Sequence, residues 1–189
     1  MRQATEITNA PIEVGGAGCT PAYAIASSGY ITHLLKNWNN ITEATGPSMR
    51  ILVSRFQQAS GISKPVLEFP SIPLNYVSGP ICQAIRKYLR DIDATIKIHP
   101  TSIPPPLRQD DIAIMDKVFQ IDHAFNEIQL QQINSCRLFL GVTYLSEICN
   151  VNGTNLIPGI EDGDTSNLQC TPTLDKIYQP SPGIRSWAL

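Results

Sequence analysis

Residues 126–149, NEIQLQQINSCRLFLGVTYLSEIC, form the longest strongly patterned run in a chain otherwise interrupted by 15 prolines. Leu130, Ile133, Arg137 and Leu140 follow the spacing of one helix face, so this stretch predicts a helix with one side buried in the core. Asn126 and Gln129 fit a capping box, in which each side chain satisfies a main-chain amide of the other, and they place the helix start. Gly141 ends or bends it. Thr143 to Ile148 then reads as a short further turn of helix or a strand, before Asn152-Gly153 makes a tight turn. No chemistry is visible in the run, which makes it a structural hub, with Asn134, Arg137, Leu138 and Leu145 as its expected anchors. Asn134 and Arg137 lie on or beside the apolar face, where burial would oblige them to hydrogen-bond, with Glu147 or Asp116 as candidate partners for Arg137.

A chain of 189 residues with 42% hydrophobic content can bury one sizeable core. The expected organisation is a tail with a glycine-rich turn over 1–21, a helical domain over 22–150 and a loop-rich linker over 151–189. The formal charge of -2 gives no overall basic footprint of the kind that draws proteins onto nucleic acid. No run approaches the roughly 18 to 20 apolar residues needed to cross a bilayer, and residues 1–10 lack the apolar core of a signal peptide. These features predict an intracellular protein of nucleus or cytoplasm, neither secreted nor membrane-bound. Cys19, Cys82, Cys136, Cys149 and Cys170 are scattered and contain no CxxC pair, so they read as reduced thiols and not as a disulfide framework or a zinc site. The sequons at Asn40 and Asn152 carry no meaning without secretion.

In chain order, the glycine cluster at 15–18 lacks both the preceding strand and the GK[ST] of a phosphate loop, and reads as a turn. Ile25, Ile31, Leu34, Leu35 and Trp38 mark an amphipathic helix over 22–38. Gly29 weakens it by about 1 kcal/mol against alanine, and His33 on it has no partner at ligand spacing. Pro47 opens a second helix, whose stripe of Met49, Leu52, Val53, Phe56 and Ala59 ends at Gly61. Residues 63–73 hold three prolines and form an extended crossing loop, with Val66, Leu67 and Phe69 over the core. Gly79-Pro80 opens a third helix through Leu89. Its Arg86, Lys87 and Arg90 make the best basic patch, followed by Arg50 and Arg55 on the second helix.

Ala94, Ile96 and Ile98 alternate with polar residues as a strand does, with 156–157 as a candidate partner. Pro104-Pro105-Pro106 forms a stiff polyproline spacer. Asp110 and Asp111 are expected to open a fourth helix bearing Ile112, Met115, Val118 and Phe119, where carboxylates favour the positive end of the helix dipole. The acidic turn 161–164 is too short for a calcium loop, and Trp187-Ala188-Leu189 reads as the opening of another apolar element. The predicted fold class is therefore mainly α: an irregular helical domain with proline-rich crossing loops, at most one short strand pair and a loop-rich C-terminal tail.

GGAGCTP at 15–21, GISKPVLEFPSIPL at 61–74, PPLRQDDIAIMD at 105–116, INSCRLFLGVTYLSEICNVNG at 133–153 and YQPSPGIRSWAL at 178–189 occur in that order. Together they resemble a segment of non-LTR (LINE-like) retrotransposon polyproteins. The match covers most of the chain, and the Asn-x-Cys-Arg-x-x-Leu run followed by Leu-Ser-x-Ile is its most specific part. The resemblance implies a piece that follows the palm of the reverse transcriptase and precedes a ribonuclease H-like region. It brings no active site, because the Tyr-x-Asp-Asp turn that would carry a polymerase's metal-binding carboxylates is absent.

The expectation is thus a non-catalytic connector, from a truncated or decayed copy, with no cofactor or metal. Its partners would be the remainder of the polyprotein and an RNA or DNA template, met through Arg86, Lys87 and Arg90 or Arg50 and Arg55. A stand-alone helical protein-interaction module is the alternative reading. A hydrolase using Cys136 or Cys149 with His123 is a third, against which stands the usual role of helix cysteines as core residues.

Overall fold

The computed structural model of the protein describes residues 9–14, 17–40, 42–98, 103, 105–121 and 125–162. The acidic turn beyond Asp162, Pro104, His123, Cys170 and the C-terminal apolar residues lie outside them, as does most of the glycine cluster. Five α-helices carry the described fold, which is mainly helical: α1 (Ala22–Asn37), α2 (Thr45–Ser60), α3 (Pro80–Asp91), α4 (Ile114–Gln120) and α5 (Glu127–Leu140). Short 3₁₀ turns lie at Ile12–Val14, Leu145–Glu147 and Ile160–Asp162.

The larger of two cores is built by α1, α2, α3 and the loop between α2 and α3. Leu34, Val53, Phe56, Leu67, Leu74, Ile85 and Leu89 are buried in it, and Met115 reaches it from α4. Each such aliphatic side chain contributes roughly 1.5–3 kcal/mol on burial. The smaller core gathers Ile114, Leu140, Val142, Ile148 and Ile160. Two elements span the seam between them. On α4, Ile114 faces the small core and Met115 the large one, while α5 puts Ile133 against the large core and Leu140 into the small one.

The hub helix begins as its sequence dictates. Asn126 accepts from the Gln129 amide at 2.9 Å, and Gln129 returns a bond to the Asn126 amide at 2.9 Å. Gly141 closes the helix in the left-handed conformation, at φ 70°. Instead of a strand, a 3₁₀ turn follows, preceded by an isolated antiparallel bridge between Tyr144 and Ala113.

Three expectations are corrected. On α1 the buried arc is centred on Ser27, Ile31 and Leu34, spaced i, i+4, i+7, and it leaves Ile25 and Leu35 at 61% and 58% exposure. Residues 94–98 keep the predicted alternation, with Ala94, Ile96 and Ile98 turned onto the large core, but they form no strand. One main-chain bond, from the Ile96 amide to the Leu67 carbonyl at 3.0 Å, and the Lys97–Glu68 ion pair at 3.4 Å tie them to the crossing loop, and Leu156 pairs with Cys149 instead. Finally, α4 starts at Ile114, after Asp110 and Asp111. Its approach is extended because 112–114 pair with 143–145, through Ile114 N to Thr143 O at 2.9 Å and Leu145 N to Ile112 O at 3.0 Å.

Ser27, 1% exposed, is the buried side chain among the described residues whose hydroxyl meets no partner. A buried hydroxyl without a bond destabilises, and the position already excludes water. Ser27→Ala is therefore expected to raise the urea midpoint, by up to about 1 kcal/mol of stability, with the denaturant slope unchanged.

Candidate functional site

The polar chemistry of the protein concentrates at the C-terminus of α2. The last four carbonyls of a helix lack partners within it. Here side chains meet all four of them, residues 57–60. Ser60 donates its hydroxyl to Gln57 O at 2.6 Å. From α5, Arg137 Nη2 donates to Gln58 O at 2.7 Å and Ala59 O at 3.1 Å, and Asn134 Nδ2 donates to Ala59 O at 2.9 Å. Tyr76 donates its phenol to Ser60 O at 2.7 Å. The remaining Arg137 donors go to Asn134 Oδ1 at 3.0 Å and Val142 O at 2.9 Å, which ties the chain beyond α5 to the same point.

Gly61 makes this approach possible. Its φ is 65°, and a Cβ there would stand 2.5 Å from Arg137 Nε and 2.8 Å from Met115 Cγ. The positive guanidinium also sits at the negative end of the α2 dipole. Arg137 is 2% exposed, and burial pushes its guanidinium down to about 10, while nearby Tyr76 and Glu147 favour the charged form. It is fully charged at neutral pH. Of the two partners expected for Arg137, Asp116 turns to Ser63 and Glu147 accepts the Thr143 and Tyr144 amides.

Arg86 does the same work for the crossing loop. One of its Nη atoms donates to Val66 O and, at 3.3 Å, to Phe69 O. The other donates to Pro70 O at 3.1 Å and to Ile72 O. Gln57 completes the clamp, donating to Ile62 O and Lys64 O and accepting the Val66 amide at 2.8 Å. Prolines deprive this loop of regular pairing, so its carbonyls need donors from elsewhere.

The expected basic patch is corrected accordingly. Arg86 is 1% exposed and is no part of a surface; desolvation lowers its guanidinium to about 10. Its spacing after Cys82 (i+4) and before Leu89 (i+3) puts it on the buried face of α3, a signal present in the sequence. Arg90 stays exposed. Lys87 lies with its ammonium 3.9 Å from the centroid of the Tyr23 ring, whose phenol donates to Asp91 at 2.8 Å. Arg50 is half-buried and donates to Trp38 O and Asn40 O, whereas Arg55 is exposed. Lys87 and Arg90 share a face of α3, while Arg55 belongs to another helix.

A cleft of about 640 Å³ opens between the crossing loop and α4, with Ile72, Pro73, Ile112 and Phe119 as apolar walls and Ser63, Lys64, Asp111 and Asp116 as polar ones. Both carboxylates serve as turn anchors. Asp116 accepts the Ser63 amide at 2.9 Å and its hydroxyl. Asp111 accepts the Ile112 amide at 2.9 Å, the Ser146 amide at 3.2 Å and the Ser146 hydroxyl. The expectation that Asp110 and Asp111 complement a helix dipole is thus replaced by loop anchoring, with Asp110 in a turn at φ 61°. Among the described residues no group of three or more His, Cys, Asp or Glu could hold a metal ion, and no helix is long and apolar enough to cross a membrane.

Leu138 and Leu145 are half-buried, and Leu145 packs on the small core. Gln57, Ser60 and Tyr76 were invisible as anchors in the sequence, apart from the oddity of a glutamine beside an apolar stripe. No protein-family model matches the chain, and no curated protein or solved structure is significantly similar to it.

Replacing Arg137 by Met leaves the Gln58 carbonyl without its cap and loosens the 142 turn. It is expected to cost on the order of 3 kcal/mol in urea unfolding, and Arg137→Lys recovers only part, since an ammonium cannot span the fork. The thiols give a second test. Burial pushes Cys82 up to about 12 and raises Cys149 as well, and Cys136 is buried. In a Cys170→Ser background, iodoacetamide at neutral pH should modify Cys19 first and reach Cys82 and Cys136 only on unfolding.

Proposed function

We propose that this chain is a non-catalytic connector from a LINE-like retrotransposon reverse transcriptase, the piece that follows the palm and packs on the polymerase. The observation that carries the reading is the convergence of the segments on which the sequence resemblance rests. Three of the five segments take part: Gly61 and Ser63 of 61–74, Met115 and Asp116 of 105–116, and Asn134 and Arg137 of 133–153 meet at the capped end of α2. The motif residues are therefore joined by mutual structural need, and their chemistry is absorbed in holding the body together.

A connector also needs surfaces for the rest of its polyprotein. Ile25 and Leu35 on α1, Ile51 on α2 and Ile128 on α5 are apolar side chains more than half exposed on otherwise ordered helices. In this reading they face the polymerase body. Lys87 and Arg90 would add a local, salt-sensitive contact to template or nascent duplex. The stand-alone interaction module remains the competing reading, favoured by the number of buried donors whose partners all lie within the described chain.

Unfolding and association separate the two. For a connector, the isolated chain should self-associate with concentration or lose circular dichroism and Trp38 fluorescence in separate steps. Ile25→Lys combined with Leu35→Lys should then restore a monomer without changing helix content. A wild-type chain that stays monomeric and unfolds in one coincident transition would instead support the independent module.

A further inference from the structure

The loop at 150–155 holds the chain's sole Asn-Gly pair, Asn152-Gly153. Asn150 builds this turn. Its carbonyl accepts the Gly153 amide at 2.9 Å, its side-chain oxygen accepts the Thr154 and Asn155 amides at 3.0 and 3.4 Å, and its amide donates to Asn155 O at 2.9 Å. None of these bonds uses the Asn152 carboxamide, which is exposed. Gly153 has φ 68°, and no atom lies within 4 Å of where its Cβ would be. Its nitrogen thus has one hydrogen bond and no side chain to screen it.

We propose that Asn152 is a self-modification site, converted to isoaspartate through local opening of this one turn. The Gly153 nitrogen, once its proton passes to solvent, attacks Asn152 Cγ. The bond from Cγ to the amide nitrogen breaks, ammonia leaves, and a five-membered succinimide closes. Water then opens the ring. Attack at the main-chain carbonyl carbon gives isoaspartate, and attack at Cγ gives aspartate, so either route adds one carboxylate. The observed turn holds the Gly153 amide against Asn150 O, so the reaction needs that bond broken and a rotation within Asn152.

Such an opening disturbs neither core. Val151 is 86% exposed, and the turn lies beyond the Cys149–Leu156 bridge. It therefore belongs to the least protected part of the described fold. The product has a structural consequence through Arg108, which donates to Asn150 O at 3.3 Å and Val151 O at 3.1 Å. An isoaspartate lengthens the main chain by one methylene inside this turn and sets a carboxylate beside the carbonyls that Arg108 holds. The modified turn is therefore expected to alter the two bonds by which Arg108 holds it.

The full chain, kept folded in mildly alkaline buffer, is followed by peptide mass mapping and by enzymatic methylation of isoaspartyl groups. The expected result is accumulation at residue 152 several-fold faster than at Asn39 or Asn40, at a rate that urea below the unfolding transition leaves unchanged. Asn150→Ala should speed it and Asn152→Gln should abolish the label. A rate at residue 152 no faster than at the other asparagines, or one that rises with urea as the unfolded population does, would overturn the proposal.

Discussion

The structure depends on how the C-terminus of α2 is closed. A helix that ends inside a protein leaves carbonyls that water cannot reach, and each one left unmet costs on the order of 1–3 kcal/mol. Here the cap comes from two other parts of the chain, as Asn134 and Arg137 from α5 and Tyr76 from the segment before α3. Bonds across 75 to 79 residues of sequence fix where the hub helix lies, and that in turn places the small core. Gly61 lets the arginine in, and its αL turn directs the chain into the crossing loop.

The crossing loop follows the same logic. Three prolines prevent it from forming regular structure, yet Val66 and Leu67 must stay buried for the large core to close. Arg86 and Gln57 supply the missing donors from the two helices that flank it. A cation inside a protein is ordinarily costly, but a guanidinium that meets several carbonyls in its own plane keeps hydrogen bonds to replace those lost from water. That arrangement explains how the described residues hold two buried arginines, Arg86 and Arg137.

This economy bears on function. Groups that look chemically able in the sequence are engaged in architecture: Asp111 and Asp116 anchor turns, Glu147 gathers two amides, and the Cys82 thiol is held protonated by burial. The surface that remains available includes apolar side chains on α1, α2 and α5 and the cations Lys87 and Arg90 on α3. In the connector reading proposed above, these apolar side chains would face the rest of the polyprotein.

The sequence by itself determined the elements whose causes are local. The capping box at Asn126, the glycine stops at Gly61 and Gly141, the proline start of α3 and the apolar stripe of α2 all follow from contacts within a few residues, and they define a mainly helical chain. The tertiary structure decided what depended on distant partners. Residues 94–98 alternate correctly, yet with one bond to Leu67 and no neighbouring strand they stay irregular. Asp111 sits near a helix start but turns to Ser146, because 112–114 must pair with 143–145. Arg86 shows the division most clearly: in sequence it reads as part of a surface patch with Lys87 and Arg90, although its spacing from Cys82 and Leu89 fits the buried face of α3, and only the path of the crossing loop brought four carbonyls within reach of its charge.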